Sequence, residues 1–363
     1  MNILDNKNTI QKYDPDRVLE SLELLPAQIS DTKIALESFS LPTDYKNINK
    51  IILCGMGGSA LGAYLLKAAF FDSLKVPFEI VNDYRVPGTI DSNTLYILSS
   101  YSGGTEEPLS TIAEAKKRGA KIIGLAGGGK LAELLKKDGL PVFIFNTKNN
   151  PSGQPRLGLG YAIFGLWGIL AKLGFLVEPK WSEIILAAKN AIKKWGFESP
   201  ASAKGGSASG GNCAKWLAGE LQNKIPVLVT SEFLDGNGHI FANQINETAK
   251  QFVAHYPIPE LNHHLMEGLS FPAENKKLLY FIFLESALYP ERIKQRFAIT
   301  KKVLAKNKIK FAAHEIKSKN TAAATIEALV FGSYASFYLA MLNRINPAIV
   351  PWVDYFKEEL NKI

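Results

Sequence analysis

The chain has 363 residues, 47% of them hydrophobic and 21% charged, with 29 glycines and 18 prolines. That is the composition of an ordinary globular protein, not of a disordered, collagen-like or fibrous one, and the length exceeds what one core usually serves, so two domains are expected. Forty-two lysines and arginines against 34 aspartates and glutamates leave +8, which points to anionic partners, but the charge is dispersed with no aromatic ladder for base stacking, so nucleic acid is not expected.

Residues 1–13 are polar and lack the apolar run of a signal peptide, and a polar helical lead-in is expected over 14–41. Ile51-Ile52-Leu53-Cys54 reads as a short strand running straight into Gly55-Met56-Gly57-Gly58-Ser59, with helical spacing over 60–70. Further strands are expected at 78–82, 94–99, 121–126 and 141–145, with helices at 108–118 and 130–137. Apolar strands without alternation, each followed by a helical pattern, make a parallel sheet covered on both faces, so this half is a doubly wound α/β domain. The longest apolar run, 157–171, is Gly-rich, stops at Lys172 and falls short of the ~20 residues of a bilayer span, so it reads as a buried helix and no membrane is expected.

Residues 200–212, carrying Gly205-Gly206-Ser207-Ala208-Ser209-Gly210-Gly211, cannot pack and mark a linker. The scheme then restarts with helices expected at 213–222, 238–252, 290–307 and 321–343 and strands at 226–230, 278–283 and 309–312. The densest basic stretch, Lys301, Lys302, Lys306, Lys308 and Lys310, alternates with apolar residues as a solvated face does. Cys54 and Cys213 lie far apart, with no CxxC and no zinc-type histidine spacing. Neither a disulfide framework nor a metal is indicated, and a reducing cytoplasm fits.

Two loops carry chemistry. Gly55-Met56-Gly57-Gly58-Ser59-Ala60 satisfies the G-x-G-x-x-A form of a dinucleotide fingerprint, with Asp83 as candidate ribose acid; a tight turn would want the same glycines, so an NAD-dependent dehydrogenase is one reading among others. Ser99-Ser100-Tyr101-Ser102-Gly103-Gly104-Thr105-Glu106-Glu107 follows the third strand at the same end of the sheet. Spaced hydroxyls, flexible backbone donors and a helix N-terminus make a phosphate cradle. Capping by Thr105 would explain the start of the helix but not Ser100 and Ser102 with the glycine pair, and no lysine follows as a Walker loop requires.

With these loops the sequence resembles the sugar isomerase (SIS) family, and within it the bifunctional phosphoglucose/phosphomannose isomerase group. The likeness continues in Pro151-Ser152-Gly153-Gln154-Pro155-Arg156, in Asn243-Gln244-Ile245-Asn246-Glu247 with Lys250, and in Pro259-Glu260-Leu261-Asn262-His263. It implies an α/β fold of two tandem doubly wound SIS domains, each a five-stranded parallel sheet between helices, at 31–195 and 213–345. A helical lead-in at 1–30, a linker at 196–212 and a C-terminal helical tail at 346–363 complete the chain. It further implies a cytoplasmic homodimer with a shared active site, no cofactor and no metal. The implied reaction, a step of glycolysis and gluconeogenesis, interconverts glucose 6-phosphate and fructose 6-phosphate by ring opening and a cis-enediol proton transfer, with mannose 6-phosphate as second aldose. Phosphate binding falls on Gly57, Gly58, Ser59, Ser100, Ser102 and Thr105, enediolate stabilisation on Arg156, the proton-shuttling base on Glu247, ring opening on His263 and a supporting lysine on Lys357.

The chemistry asks for the same residue types. Moving a proton between C1 and C2 needs one carboxylate, ring opening suits an imidazole, and a fixed guanidinium can meet the enediolate charge. Each residue also has a plainer reading: Glu247 and Lys250 as a surface ion pair, Arg156 as a surface helix-start residue, His263 as a surface histidine beside His264, Lys357 as a solvated helix face. A non-catalytic sugar-phosphate-binding protein of the same fold would keep the serine loop without needing Glu247 or His263. The chain departs from the group's pattern at Asn262-His263-His264-Leu265, where Asn-His-Asn-Glu is usual, at Gly104, where Asn is common, and at Asn346-Pro347-Ala348, where Asp-Pro-Thr is frequent.

Overall fold

The computed structural model describes residues 3–200, 211–360 and Lys362, so most of the expected Gly/Ser linker lies outside the described residues. Three helices open the chain: α1 (Lys7–Tyr13), α2 (Val18–Glu23) and α3 (Leu25–Glu37). Then come β1 (Lys50–Gly55), α4 (Leu61–Ala69), β2 (Phe78–Val81), β3 (Thr94–Ser100), α5 (Glu106–Lys117), β4 (Lys121–Ala126), α6 (Gly129–Lys137) and β5 (Val142–Ile144). The strands form one parallel sheet in the order β2-β1-β3-β4-β5. β3 is buried along its whole length, as its unbroken apolar run requires of a strand covered on both faces.

The apolar run forms α7 (Leu159–Lys172), packed on α3 and α4. After α8 (Trp181–Trp195), which the sequence reading passed over, come α9 (Cys213–Leu221), β6 (Ile225–Ser231), α10 (Asp235–Ala249), β7 (Ala254–Ile258), α11 (Leu261–His264) and α12 (Asn275–Leu278). The chain closes with β8 (Leu279–Ser286), α13 (Glu291–Lys306), β9 (Lys310–Ile316), α14 (Thr321–Leu342) and α15 (Pro351–Leu360).

The second sheet is parallel, in the order β7-β6-β8-β9, and among the described residues it has four strands instead of the five the resemblance implies. After β9 the chain goes directly into α14, which fills the space against α8, α9 and α10. α14 is long and apolar enough to cross a membrane, but 89% of its apolar window is buried within the protein. β7 escaped the sequence reading because Ala254-His255-Tyr256-Pro257-Ile258 is only partly apolar and contains a proline, which an edge strand tolerates. The two sheets share one strand order, so the loops after β6 and β8 are counterparts of those after β1 and β3. None of the residues of α15 is buried.

Candidate active site

The loop after β1 turns at Gly57, whose φ of +45° lies in the left-handed region. The next residue explains the second glycine: a Cβ on Gly58 would lie 2.7 Å from the Arg156 backbone nitrogen. The fingerprint therefore reports close packing of this loop on Pro155 and Arg156. Asp83, the candidate ribose acid, is turned to Arg85 at 3.2 Å. Ser59 is buried, and its Oγ accepts the Tyr101 N–H at 2.8 Å while Ser99 Oγ donates to the Ser59 carbonyl at 2.7 Å, so Ser59 joins the two loops.

In the second loop Ser100 Oγ and Thr105 Oγ1 lie 2.7 Å apart and Ser100 Oγ accepts the Thr105 N–H. Thr105 occupies the N-cap position of α5, yet its hydroxyl makes no capping bond. The capping reading thus fails for the side chain. Ser102, exposed, accepts the Gly104 N–H at 3.2 Å. Gly103 has φ +71°, and a Cβ there would come within 1.9 Å of the Gly128 carbonyl, so the loop rests directly on the turn before α6. Hydroxyls that are satisfied by one another, with the first turn of α5 beside them, can exchange those bonds for phosphate oxygens.

Arg156 is only 1% exposed, so the surface reading is overturned. Its five donors meet five acceptors: Nε donates to Thr248 Oγ1 at 3.2 Å, Nη1 to Gln154 Oε1 at 2.9 Å and Glu247 Oε2 at 3.2 Å, and Nη2 to the Pro347 and Ala348 carbonyls, both at 2.7 Å. Burial pulls its pKa down and Glu247 opposes that, but a guanidinium stays protonated. What it offers a bound anion is charge and a fixed position, since its N–H groups are engaged.

Glu247 stands near the end of α10 with its side chain 30% exposed. One oxygen is tied to Arg156, and no hydrogen bond to the other is recorded among the described residues. The helix is held by Gln244, whose Nε2 donates to Ser333 Oγ at 2.9 Å and to the Arg156 carbonyl at 3.4 Å. Lys250 is not its ion-pair partner: the Lys250 ammonium donates to the Asn346 carbonyl at 2.7 Å. Burial of that amino group, with repulsion from Arg156, pushes its pKa down to about 8 against the pull of Glu247. Lys250 and Arg156 thus hold three successive carbonyls, those of Asn346, Pro347 and Ala348. No periodicity signalled these acceptors or Thr248, because backbone carbonyls and a lone threonine leave no pattern.

His263 and His264 are both exposed, and His264 packs edge-on to Tyr256 with ring centres 5.9 Å apart. The topology keeps His263 from Glu247 within one chain. Glu247 lies where α10 turns into β7, whereas His263 follows the far end of that five-residue strand, ~16 Å away at ~3.3 Å per residue. Lys357 lies on the exposed α15 and makes no ion pair among the described residues. One chain therefore brings together the two loops, Arg156 and Glu247, while His263 follows the far end of β7 and Lys357 stands on the exposed α15.

Residues 211–360 match the family described as bacterial phospho-glucose isomerase C-terminal SIS domain, and residues 44–145 match the SIS domain. The chain is 33% identical over 355 residues to the bifunctional phosphoglucose/phosphomannose isomerase of Caldicellulosiruptor bescii, covering 95% of this chain and 99% of that one. It is 30% identical over 322 residues to the protein of the same name from Aquifex aeolicus, covering 88% and 92%. Its fold is similar to that of a hypothetical protein from Thermus thermophilus, with a TM-score of 0.70 at 18% identity over 94% of this chain and 90% of that one.

Proposed function

The chain belongs to the bifunctional phosphoglucose/phosphomannose isomerase group of the SIS family, and from that membership we propose that it interconverts glucose 6-phosphate and fructose 6-phosphate, with mannose 6-phosphate as second aldose. The observation that supports the reading is the close seating of the β1 loop on the backbone of Arg156, the residue whose side chain bonds Glu247. A phosphate held by Ser100, Ser102 and Thr105 directs the open-chain sugar towards Glu247. Gly57 and Gly58 shape that cradle, and Ser59 fixes it to the neighbouring loop.

His263 opens the ring by moving a proton at the ring oxygen. The free oxygen of Glu247 then takes the C2 proton and leaves an enediolate charged at O1; O1 takes up a proton and O2 gives one up as the carbon proton returns to C1, which gives the ketose. Arg156 holds the carboxylate in place and its charge stabilises the enediolate. Glucose and mannose 6-phosphates differ only at C2, the carbon that becomes planar, so both aldoses lead to one intermediate.

His263 serves the Glu247 of a second copy in a homodimer, which the separation of the two residues within one chain supports. Lys357 supports the shared site. The reading places the protein in the cytoplasm, with two buried free cysteines, and its reaction in glycolysis and gluconeogenesis. The test is a coupled assay on the three hexose 6-phosphates. Turnover of glucose and fructose 6-phosphates supports the assignment, and absence of turnover with binding retained makes the protein a sugar-phosphate-binding relative.

A further inference from the structure

The topological counterpart of the phosphate cradle is a cleft of ≈ 1260 Å³ in front of the loops after β6 and β8, walled on the other side by the end of α4. It is unlike the cradle in chemistry. Asp72, Glu79, Glu232 and Asp235 face it against the single Lys67, which repels a phosphate, and Phe70, Phe71, Phe233, Leu288 and Ile293 give it apolar walls. Phe71 is 77% exposed at its edge. The volume exceeds the ~300–1,000 Å³ of an ordinary small-molecule pocket.

The same molecule carries a helix, α15, none of whose residues is buried. On α15, Trp352, Tyr355 and Phe356 share one face at i, i+3, i+4 spacing and are 82%, 55% and 63% exposed. Val353 and Leu360 widen the face, Asp354 lies opposite it, and Lys357 and Glu358 flank it on either side. Glu359, which falls within it, is neutralised by Lys362 at 2.6 Å. An exposed aromatic arc complements a cleft walled by Phe70, Phe71 and Phe233.

We propose that α15 of each copy is an exchange arm that seats its aromatic arc in this cleft of a second copy. The inference rests on the shared-site reading and extends it. The arm does not line the cleft of its own chain. Its root is tied to Arg156 at the Glu247 end of α10, the cleft opens at the Asp235 end, ~18 Å along that helix, and α4 and α14 occupy the flanks between. A helix and a receiving cleft on one surface, exchanged reciprocally, close the assembly at two copies. Three aromatics of ~150–250 Å² per copy, with the walls they cover, reach the ~1,200–2,000 Å² of a specific interface.

The docking also accounts for the divided site. The cleft wall includes Pro257, Ile258 and Pro259, which lead into His263, while the arm leaves its own chain three residues after Ala348, whose carbonyl binds the arginine beside Glu247. Seating the arm brings Glu247 of one copy, with Lys357, to the His263 segment of the other.

The test is a crosslink between copies. Cys54 and Cys213 are buried, so Phe71→Cys and Phe356→Cys introduce the accessible thiols. Chains carrying one substitution each, mixed and oxidised, should give a covalent dimer, and Trp352→Asp should raise the dimer dissociation constant at least tenfold in light scattering. A crosslinked monomer in the doubly substituted chain would overturn the exchange in favour of the chain's own helix. A stable dimer without crosslink, unaffected by Trp352→Asp, would overturn the arm and leave the shared site standing. An active wild-type monomer would overturn both.

Discussion

Arg156 Nη1 lies 3.2 Å from Glu247 Oε2, and this contact joins the loop before α7 to the end of α10, one domain to the other. The two residues are 91 positions apart in sequence. Arg156 thereby fixes one oxygen of the proposed base.

Breaking a buried ion pair from one side costs about 3–5 kcal/mol. Since Glu247 retains some solvent, Arg156→Met is expected at the lower end, about 3 kcal/mol in urea unfolding, with kcat falling more than KM rises. A variant as stable and as fast as wild type would show that the pair orders nothing.

Glu247→Gln keeps the size and much of the hydrogen bonding but removes the base. Hexose phosphate should still bind, while solvent deuterium incorporation at C2, followed by NMR, slows by on the order of 10²–10⁴. Anomer exchange at C1, the step proposed for His263, should persist in the same sample. Deuterium entering C2 at the wild-type rate removes Glu247 from the mechanism.

Two serines of the cradle should separate binding from folding. Ser102 is exposed and bonds only its own loop, so Ser102→Ala should weaken phosphate-dependent affinity by ~1.5–3 kcal/mol in calorimetry with the melting temperature unchanged. Ser59 is buried, and Ser59→Ala leaves the Tyr101 N–H without its acceptor, so it should cost ~1–3 kcal/mol of stability instead. If Ser102→Ala binds as wild type does, this loop is not the phosphate site.

Mixing inactive Glu247→Gln with inactive His263→Ala should restore part of the activity, because some mixed dimers carry one intact site. Subunit exchange demonstrated by mass spectrometry, with no activity returning, would rule out His263 acting across the dimer.

His255 gives a pH signature. Burial pulls its pKa from 6.5 to about 4, and its Nε2 lies 2.7 Å from Thr230 Oγ1. The fold favours neutral imidazole, so this contribution is complete above pH ~6.5 and is lost as pH falls towards 4, by roughly 3 kcal/mol at ~1.4 kcal/mol per pH unit. The stability difference between wild type and His255→Gln should be level above pH 6.5 and shrink below it. A constant difference down to about pH 4 would mean that His255 titrates normally in the fold.

The first sheet was legible in the sequence because its strands are unbroken apolar runs, and β1 and β3 with their glycine and serine loops are found where expected. β7 was not, since an edge strand with His255 and Pro257 carries neither the run nor the alternation that marks a strand. Within the site, Glu247 and Arg156 were found from motifs. Their union was not, because it depends on carbonyls of Pro347 and Ala348 nearly 200 residues from Arg156. His263 marks the limit of a single chain: the sequence names it, but β7 separates it from the Glu247 end of α10 within one copy.

The glycines behind the cradle set what mutation can do with it. Gly103 admits no side chain, with the Gly128 carbonyl 1.9 Å from where a Cβ would stand, and Gly129 meets the same wall from the other side, 2.4 Å from the Ser102 carbonyl. Neither can change without the other's backbone. At Gly104 a Cβ would meet only Ser102 Oγ, at 3.8 Å. Among these glycines drift is therefore channelled into residue 104, and side chains enter the proposed phosphate loop there without moving its backbone.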